Sequence, residues 1–227
     1  MSKKMMLLAT ALTALAFAAL PAVASAGTPE THCSGSPSPT CEIEISGGAA
    51  ELTRTANALK IQCSSMTGTG VMSTTGGSIA LTFHGCKESL FKTTCSTSST
   101  SAPGTIVVTN LPYDNIYTTD NKTSPGVLVT PTASTSHFAS FTCINGSHTV
   151  SGNGVIGSLS APKCGEAAAS LTLGFTQASQ GHQTHKQITG TGTIYDLEEG
   201  GSTAAQVGSG TVKVTGGTPG SISVTCP

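Results

Sequence analysis

Tryptophan is absent from the 227 residues, and aromatic side chains make up only 4%. A core without large rings has little apolar area per residue to bury, so cohesion has to come from elsewhere. Charge is equally scarce. Charged residues are 9% of the chain, where an ordinary domain carries about a quarter. The ten Lys and Arg are dispersed and outnumbered by eleven acids, which excludes a phosphate-tracking nucleic-acid binder. Long apolar runs are missing beyond Leu7–Leu20, itself shorter than the ~20 residues that span a bilayer, so no transmembrane segment is expected downstream. No apolar periodicity sustains a helix of three turns. No Gly-Xaa-Ser-Xaa-Gly sits in the strand–turn–helix setting of a nucleophile elbow.

What is present begins with an export signal. Lys3 and Lys4 supply a positive start, Leu7–Leu20 the apolar stretch, Pro21 a break and Ala24-Ser25-Ala26 the small-residue cleavage pattern, giving a signal peptide over 1–26. Paired arginines are lacking there, and Cys33 stands behind Pro29-Glu30-Thr31-His32, so neither twin-arginine export nor lipid attachment is indicated. Cleavage after Ala26 leaves 201 residues with 8 basic and 11 acidic side chains, a net charge of −3. The expected product is secreted, with a flexible Pro/Ser/Thr-rich arm over 27–40 and a single β-domain over 41–227.

Polar surface comes from 29 Ser and 37 Thr, and branched Thr suits the half-exposed face of a pleated sheet. All eight cysteines (Cys33, Cys41, Cys63, Cys86, Cys95, Cys143, Cys164, Cys226) follow the signal, and an even count in an exported chain reads as disulfides. Proximity in sequence favours Cys33–Cys41 and Cys86–Cys95, leaving Cys63–Cys143 and Cys164–Cys226. A repeated phrase, strand, Cys, Gly-Xaa-Gly, strand, Cys, suggests Cys63–Cys86 and Cys143–Cys164 instead. These bridges would substitute for the missing aromatic core.

Alternation and apolar runs at Cys41–Ser46, Glu51–Ala56, Ala58–Ser64, Ile79–Phe83, Thr105–Thr109, Val127–Thr130, Phe138–Cys143, Val150–Ile156 (broken by Gly152 and Gly154), Leu171–Phe175, Ile188–Tyr195, Ala204–Val207, Val212–Thr215 and Ile222–Cys226 predict many short strands. Leu111-Pro112 is expected to interrupt one of them, with Tyr113–Tyr117 a short continuation, and Glu166–Ser170 could open a helical turn. Turns every 8–12 residues indicate an all-β antiparallel sandwich or barrel.

The ordered phrases ALKIQCSSMTGTG, IALTFHGC, Cys95, APGTIVVTNLP, GVLVTP, FASFTC, HTVSGNGVIG and SLTLGFTQASQGHQ, from about Glu51 to the end, resemble a family of secreted actinobacterial proteins of unknown function. The resemblance implies a Gram-positive exterior and carries no catalytic residues.

Several constellations invite chemistry. His182 and His185 have metal-like spacing, with His84, His137 and His148 elsewhere; without two further clustered ligands they read as loop histidines. Tyr113-Asp114-Asn115 and Asp120-Asn121 offer oxygens but lack the Gly and bidentate Glu of a calcium loop. Glu198-Glu199 point opposite ways on a strand or form a solvated turn before Gly200-Gly201, and solvation is the preferred reading. Val207-Gly208-Ser209-Gly210 lacks an elbow. Asn121-Lys122-Thr123 and Asn145-Gly146-Ser147 match glycosylation acceptors, though Asn145-Gly146 is better read as a hairpin turn. No catalytic residue, metal or cofactor is therefore expected. The function expected is a non-enzymatic β-module at the cell exterior, either associating structurally with the envelope or binding cell-wall or surface components through the Lys87–Pro103 and Thr118–Pro125 loops or a sheet edge. A hydrolase without a motif and a barrel carrying a small apolar ligand are the alternatives.

Overall fold

The computed structural model describes residues 27–34, 39–98, 101–119, 122–132, 134–178, 182–185, 188, 193–215 and 220–227; the expected signal peptide lies outside them. Strand after strand carries the alternation of a sheet with one dry face. Along Thr40–Gly47, Cys41, Ile43 and Ile45 are buried while Glu42 and Glu44 face water. Eight such faces close on themselves.

In chain order, β2 (Thr40–Gly47) and β3 (Ala50–Arg54) descend end to end, and β4 (Lys60–Cys63) and β5 (Ser65–Ser73) climb beside them. Next, β6 (Gly76–His84) and β7 (Lys87–Glu88) descend, then β8 (Cys95–Ser96) and β9 (Ile106–Tyr117) climb. The same alternation continues with β10 (Pro125–Val129) and β11 (His137–Cys143) down, β12 (Gly146–Gly152) and β13 (Val155–Ala161) up. Finally β15 (Leu171–Phe175) and β16 (Leu197–Glu199) descend, and β17 (Ser202–Thr215) climbs the full height unbroken.

The upper segments pair in the cycle β2–β5–β6–β9–β10–β13–β15–β17–β2, all antiparallel, which closes an eight-stranded barrel. The lower segments repeat that order one for one: β3–β4–β7, then β8–β11–β12–β16–β17–β3. The gap between β7 and β8 is joined by the Lys87–Thr94 bridge and by hydrogen bonds from Glu88 N to Thr93 O and Cys95 N to Cys86 O. The molecule is thus one up-and-down barrel of eight long staves, seven of them broken at a waist. The choice between sandwich and barrel falls to the barrel, and closure removes the open edges an eight-stranded sheet would otherwise expose.

A three-stranded sheet, β1 (Glu30–Cys33), β18 (Ile222–Thr225) and β14 (Ala167–Ala168), covers the upper end. Glu30–Cys33 is therefore a paired strand rather than part of a loose arm, while 35–38 lie outside the described residues. Ala167–Ala168 is likewise a strand, where a helical turn was an option. Its anchorage is polar: Thr31 N donates to Thr74 O, and Thr31 Oγ1 to Ser73 O at 2.8 Å.

Four disulfides tie the staves: Cys33–Cys41, Cys63–Cys86, Cys95–Cys143 and Cys164–Cys226. Neither sequence-based set was right as a whole. Cys86–Cys95, Cys63–Cys143 and Cys143–Cys164 do not form, and register explains why. Gln62 pairs with Lys87, so Cys63 falls opposite Cys86, and Cys143 lies directly opposite Cys95. Cys63, Cys86, Cys95 and Cys143, all buried, make one row across four neighbouring staves. The repeated phrase also dissolves, because Cys63 sits at the waist of a stave whereas Cys143 ends one at the lower turn.

Two further expectations change. Pro112 does not break its strand: β9 is continuous, with a bulge where Ile79 faces Leu111 and Leu81 faces Val108, absorbed by Asn110 at φ 55°. Thr67–Gly70 forms the middle of β5, where Gly68 and Gly70 let β6 approach; a Cβ at either would stand 2.4 Å from a carbonyl oxygen of that strand. The strand expected over Ile188–Tyr195 begins at Leu197; residues 189–192 lie outside the described ones, while Ile188 and Tyr195 cover an outer cluster of Ile116, Leu128 and Ile156.

Candidate functional site

The interior has an apolar middle and two polar ends. All eight staves send side chains into the middle, among them Ile43, Met72, Ile79, Val108, Val127, Leu159, Leu171 and Val212. Aromatic-poor, these do not fill the lumen, and a cavity of about 160 Å³ remains. Eight staves give an interior just wide enough for side chains or one small ligand. Apolar cavities of about 150 Å³ stay dry and bind benzene.

At the upper end Asn115, 2% exposed, lines this cavity. Its amide is oriented by its partners: Nδ2 donates to Thr74 O at 2.9 Å and to Thr31 Oγ1 at 3.0 Å, and a carbonyl can only accept. Asn115 Oδ1 is consequently a buried acceptor with no hydrogen-bond partner among the described residues. Such an atom costs free energy until a donor meets it. Tyr113, on the same face, is 7% exposed, and burial holds its hydroxyl well above the usual phenol range.

At the lower end the lumen is plugged by charge. His148 Nδ1 lies 2.8 Å from Glu199 Oε1, and Arg54 Nη1 lies 3.1 Å from Glu199 Oε2. Gly200, at φ +58°, leaves room for that guanidinium; a Cβ there would stand 2.7 Å from Arg54 Nη1. The His148 ring stacks on Phe141 with centroids 5.3 Å apart. Glu88, wholly buried, accepts from Thr93 Oγ1 at 3.4 Å. Its Oε1 and His148 Nε2 have no hydrogen-bond partner among the described residues. Glu88, Cys143 and His148 bring potential ligand atoms within 4.8 Å of one another, but Cys143 is spent in its disulfide, which leaves two ligands and no closed metal centre.

This plug was missed in the sequence. His148 is not a loop histidine, and Glu199 is not in a solvated turn; the two are 8% and 3% exposed. Glu198 and Glu199 do point opposite ways, Glu198 outward. The signal was parity: His148 shares a strand face with Val150, Glu199 with Leu197, and Glu88 with Cys86, each two residues away. The other candidates do not converge. His182 and His185 gather no third ligand among the described residues. Tyr113 and Asn115 face the lumen while Asp114 is exposed, and Asp120-Asn121 lie outside the described residues, as does the acceptor asparagine of Asn121-Lys122-Thr123. Val207–Gly210 is the interior of β17. Asn145 lies in the turn joining β11 to β12, as expected of a hairpin.

No family model, curated protein or solved structure matches the chain. The chain is a disulfide-rich all-β barrel, a class that fits a structural or binding module. Four disulfides suit an oxidising, extracellular setting, and among the described residues no helix is long and apolar enough to cross a membrane.

Proposed function

We propose that the protein is an exported, non-enzymatic binding module of the cell exterior whose lumen carries one small apolar molecule. The observation that carries this reading is the cavity of about 160 Å³ walled by apolar side chains from every stave. Buried Asn115 Oδ1 adds a preference: the ligand is a ring-sized hydrocarbon body with one hydrogen-bond donor, such as a hydroxyl, at the end facing the cap. The signal-like N-terminus, the disulfides and the resemblance to secreted actinobacterial proteins support export, and the Ser/Thr coat suits association with wall or surface components.

The test is a titration of the purified, oxidised protein with toluene and phenol, followed by methyl NMR shifts and thermal stability. Saturable binding that perturbs Val108 and Leu159 is expected, and Val108→Phe, which fills the lumen, should abolish it while the barrel stays folded. If neither compound binds, or if Val108→Phe leaves binding unchanged, the lumen is only a loosely filled core.

A further inference from the structure

The lower end of the barrel bears a feature that the lumen does not use. Five large hydrophobic side chains stand exposed among the described residues, and three of them, Leu90 (70%), Phe91 (62%) and Ile144 (84%), lie at this end. Leu90 and Phe91 occupy the turn between β7 and β8. Ile144 follows Cys143, which pairs with Cys95 at the start of β8, so adjacent staves carry both projections. Three of the five exposed large hydrophobics thus gather on neighbouring turns stapled by Cys63–Cys86 and Cys95–Cys143, and a gathering of this kind, unlike scattered single residues, marks an interaction surface.

Charge around them is one-sided. Lys87 and Lys92 flank Leu90-Phe91, both exposed, and neither forms an ion pair among the described residues. The acid between them, Glu88, points into the lumen. Lys60 on the neighbouring stave is neutralised by Glu51 at 2.7 Å, and Arg54 by Glu199. Glu198 is exposed on β16, three staves beyond the one carrying β8. The chain as a whole is slightly negative, so attraction to an anionic surface depends on a local group of cations such as this one.

We propose that this tip docks the protein on anionic lipid bilayers, with Leu90, Phe91 and Ile144 entering the interfacial region and Lys87 and Lys92 meeting lipid phosphates. The three apolar groups project singly from turns, with polar Thr142 and Ser147 on the strands behind them, and separate wedges suit a fluid interface better than the flat continuous face a folded protein partner requires. Aromatic rings at headgroup depth and lysines at the surface are the anchors such an interface favours.

The experiment is co-sedimentation of the oxidised protein with vesicles of phosphatidylcholine mixed with phosphatidylglycerol, against phosphatidylcholine alone. Binding to the mixed vesicles is expected. Lys87→Gln with Lys92→Gln should weaken it about 25-fold, since a lysine near an anionic surface contributes about fivefold. Leu90→Ser with Phe91→Ser should abolish it, and both pairs lie on the surface, where folding is unaffected. Because the chain has no tryptophan, Phe91→Trp gives a reporter without background, and its emission should shift to the blue on mixed vesicles. No binding to anionic vesicles, binding indifferent to Leu90→Ser/Phe91→Ser, or an F91W emission that shifts only with an added protein fraction would each overturn the proposal.

Discussion

His148 and Glu199, 51 residues apart, meet at 2.8 Å inside the barrel and join the sixth stave to the seventh. The contact is buried on both sides, and Arg54 from the first stave completes it. Glu199 is held by both the His148 ring and the Arg54 guanidinium, and removing the shared member of such a buried polar group strands its partners, which costs about 3–5 kcal/mol. Glu199→Leu should therefore destabilise the barrel by about that amount in urea unfolding. His148→Leu with Glu199→Leu should cost less than the sum of the two single changes, because the stranded histidine is gone. Additive losses would show that the two side chains do not act together.

The row of half-cystines leads to a second expectation. β7 and β8 are two residues each, too short to hold a barrel wall by backbone pairing alone. Cys95–Cys143 closes 48 residues and Cys33–Cys41 only 8. In the chain-entropy account these are worth about 4.1 and about 2.5 kcal/mol. Alanine at Cys95 and Cys143 should lower the unfolding midpoint more than alanine at Cys33 and Cys41. A non-reducing peptide map should recover Cys63 with Cys86 and Cys95 with Cys143. A map joining Cys86 to Cys95 would contradict the register.

Strand parity explains what could be read from the chain and what could not. Ile43 and Ile45 between Glu42 and Glu44, or Leu171 and Leu173 around Thr172, announce their inner faces through side-chain chemistry. That is enough to give an all-β fold, and Asn145-Gly146 is read correctly as a hairpin. His148, Glu88 and Glu199 obey the same parity, but their chemistry argues for solvent, and only closure of the barrel shows which charges face which. Pairing of cysteines depends on register between staves that are up to 80 residues apart in sequence (Cys63 to Cys143), and a register is set by both partners. Leu111-Pro112 reads locally as an interruption, and that punctuation yields to a bulge. The cavity has no local signature; it is a deficit of volume summed over eight staves.

Alkali should test the burial of Tyr113. Its folded-state pKa is raised above the usual value of 10 because its hydroxyl is desolvated. A raised value means that the neutral form is favoured in the fold, so the stabilisation is fully present below pH 10 and is lost as pH rises past it, when the unfolded chain ionises first. Tyr117 shifts in the same direction by burial. Stability measured in urea should fall above pH 10, and Tyr113→Phe should flatten that fall. A phenolate at Tyr113 that appears with the protein still folded near pH 10, seen as ultraviolet absorbance missing from Tyr113→Phe, would refute the burial.

Asn115 decides whether the lumen selects its guest. Phenol and toluene have nearly the same shape, so an apolar cavity alone binds them in the order of their cost of leaving water, with toluene ahead. Asn115 Oδ1 offers the hydroxyl a buried acceptor that toluene cannot use, and one such hydrogen bond is worth about 1 kcal/mol, or about fivefold. The native barrel should therefore favour phenol over toluene about fivefold more than a lumen without that acceptor does. Asn115→Leu also removes the bonds to Thr31 and Thr74, so the variant should be less stable by about 1–3 kcal/mol. The ratio of the two affinities is insensitive to that loss, because both ligands see the same folded population. Asn115→Leu should turn the ratio towards toluene about fivefold; an unchanged ratio would mean that Oδ1 does not reach the guest.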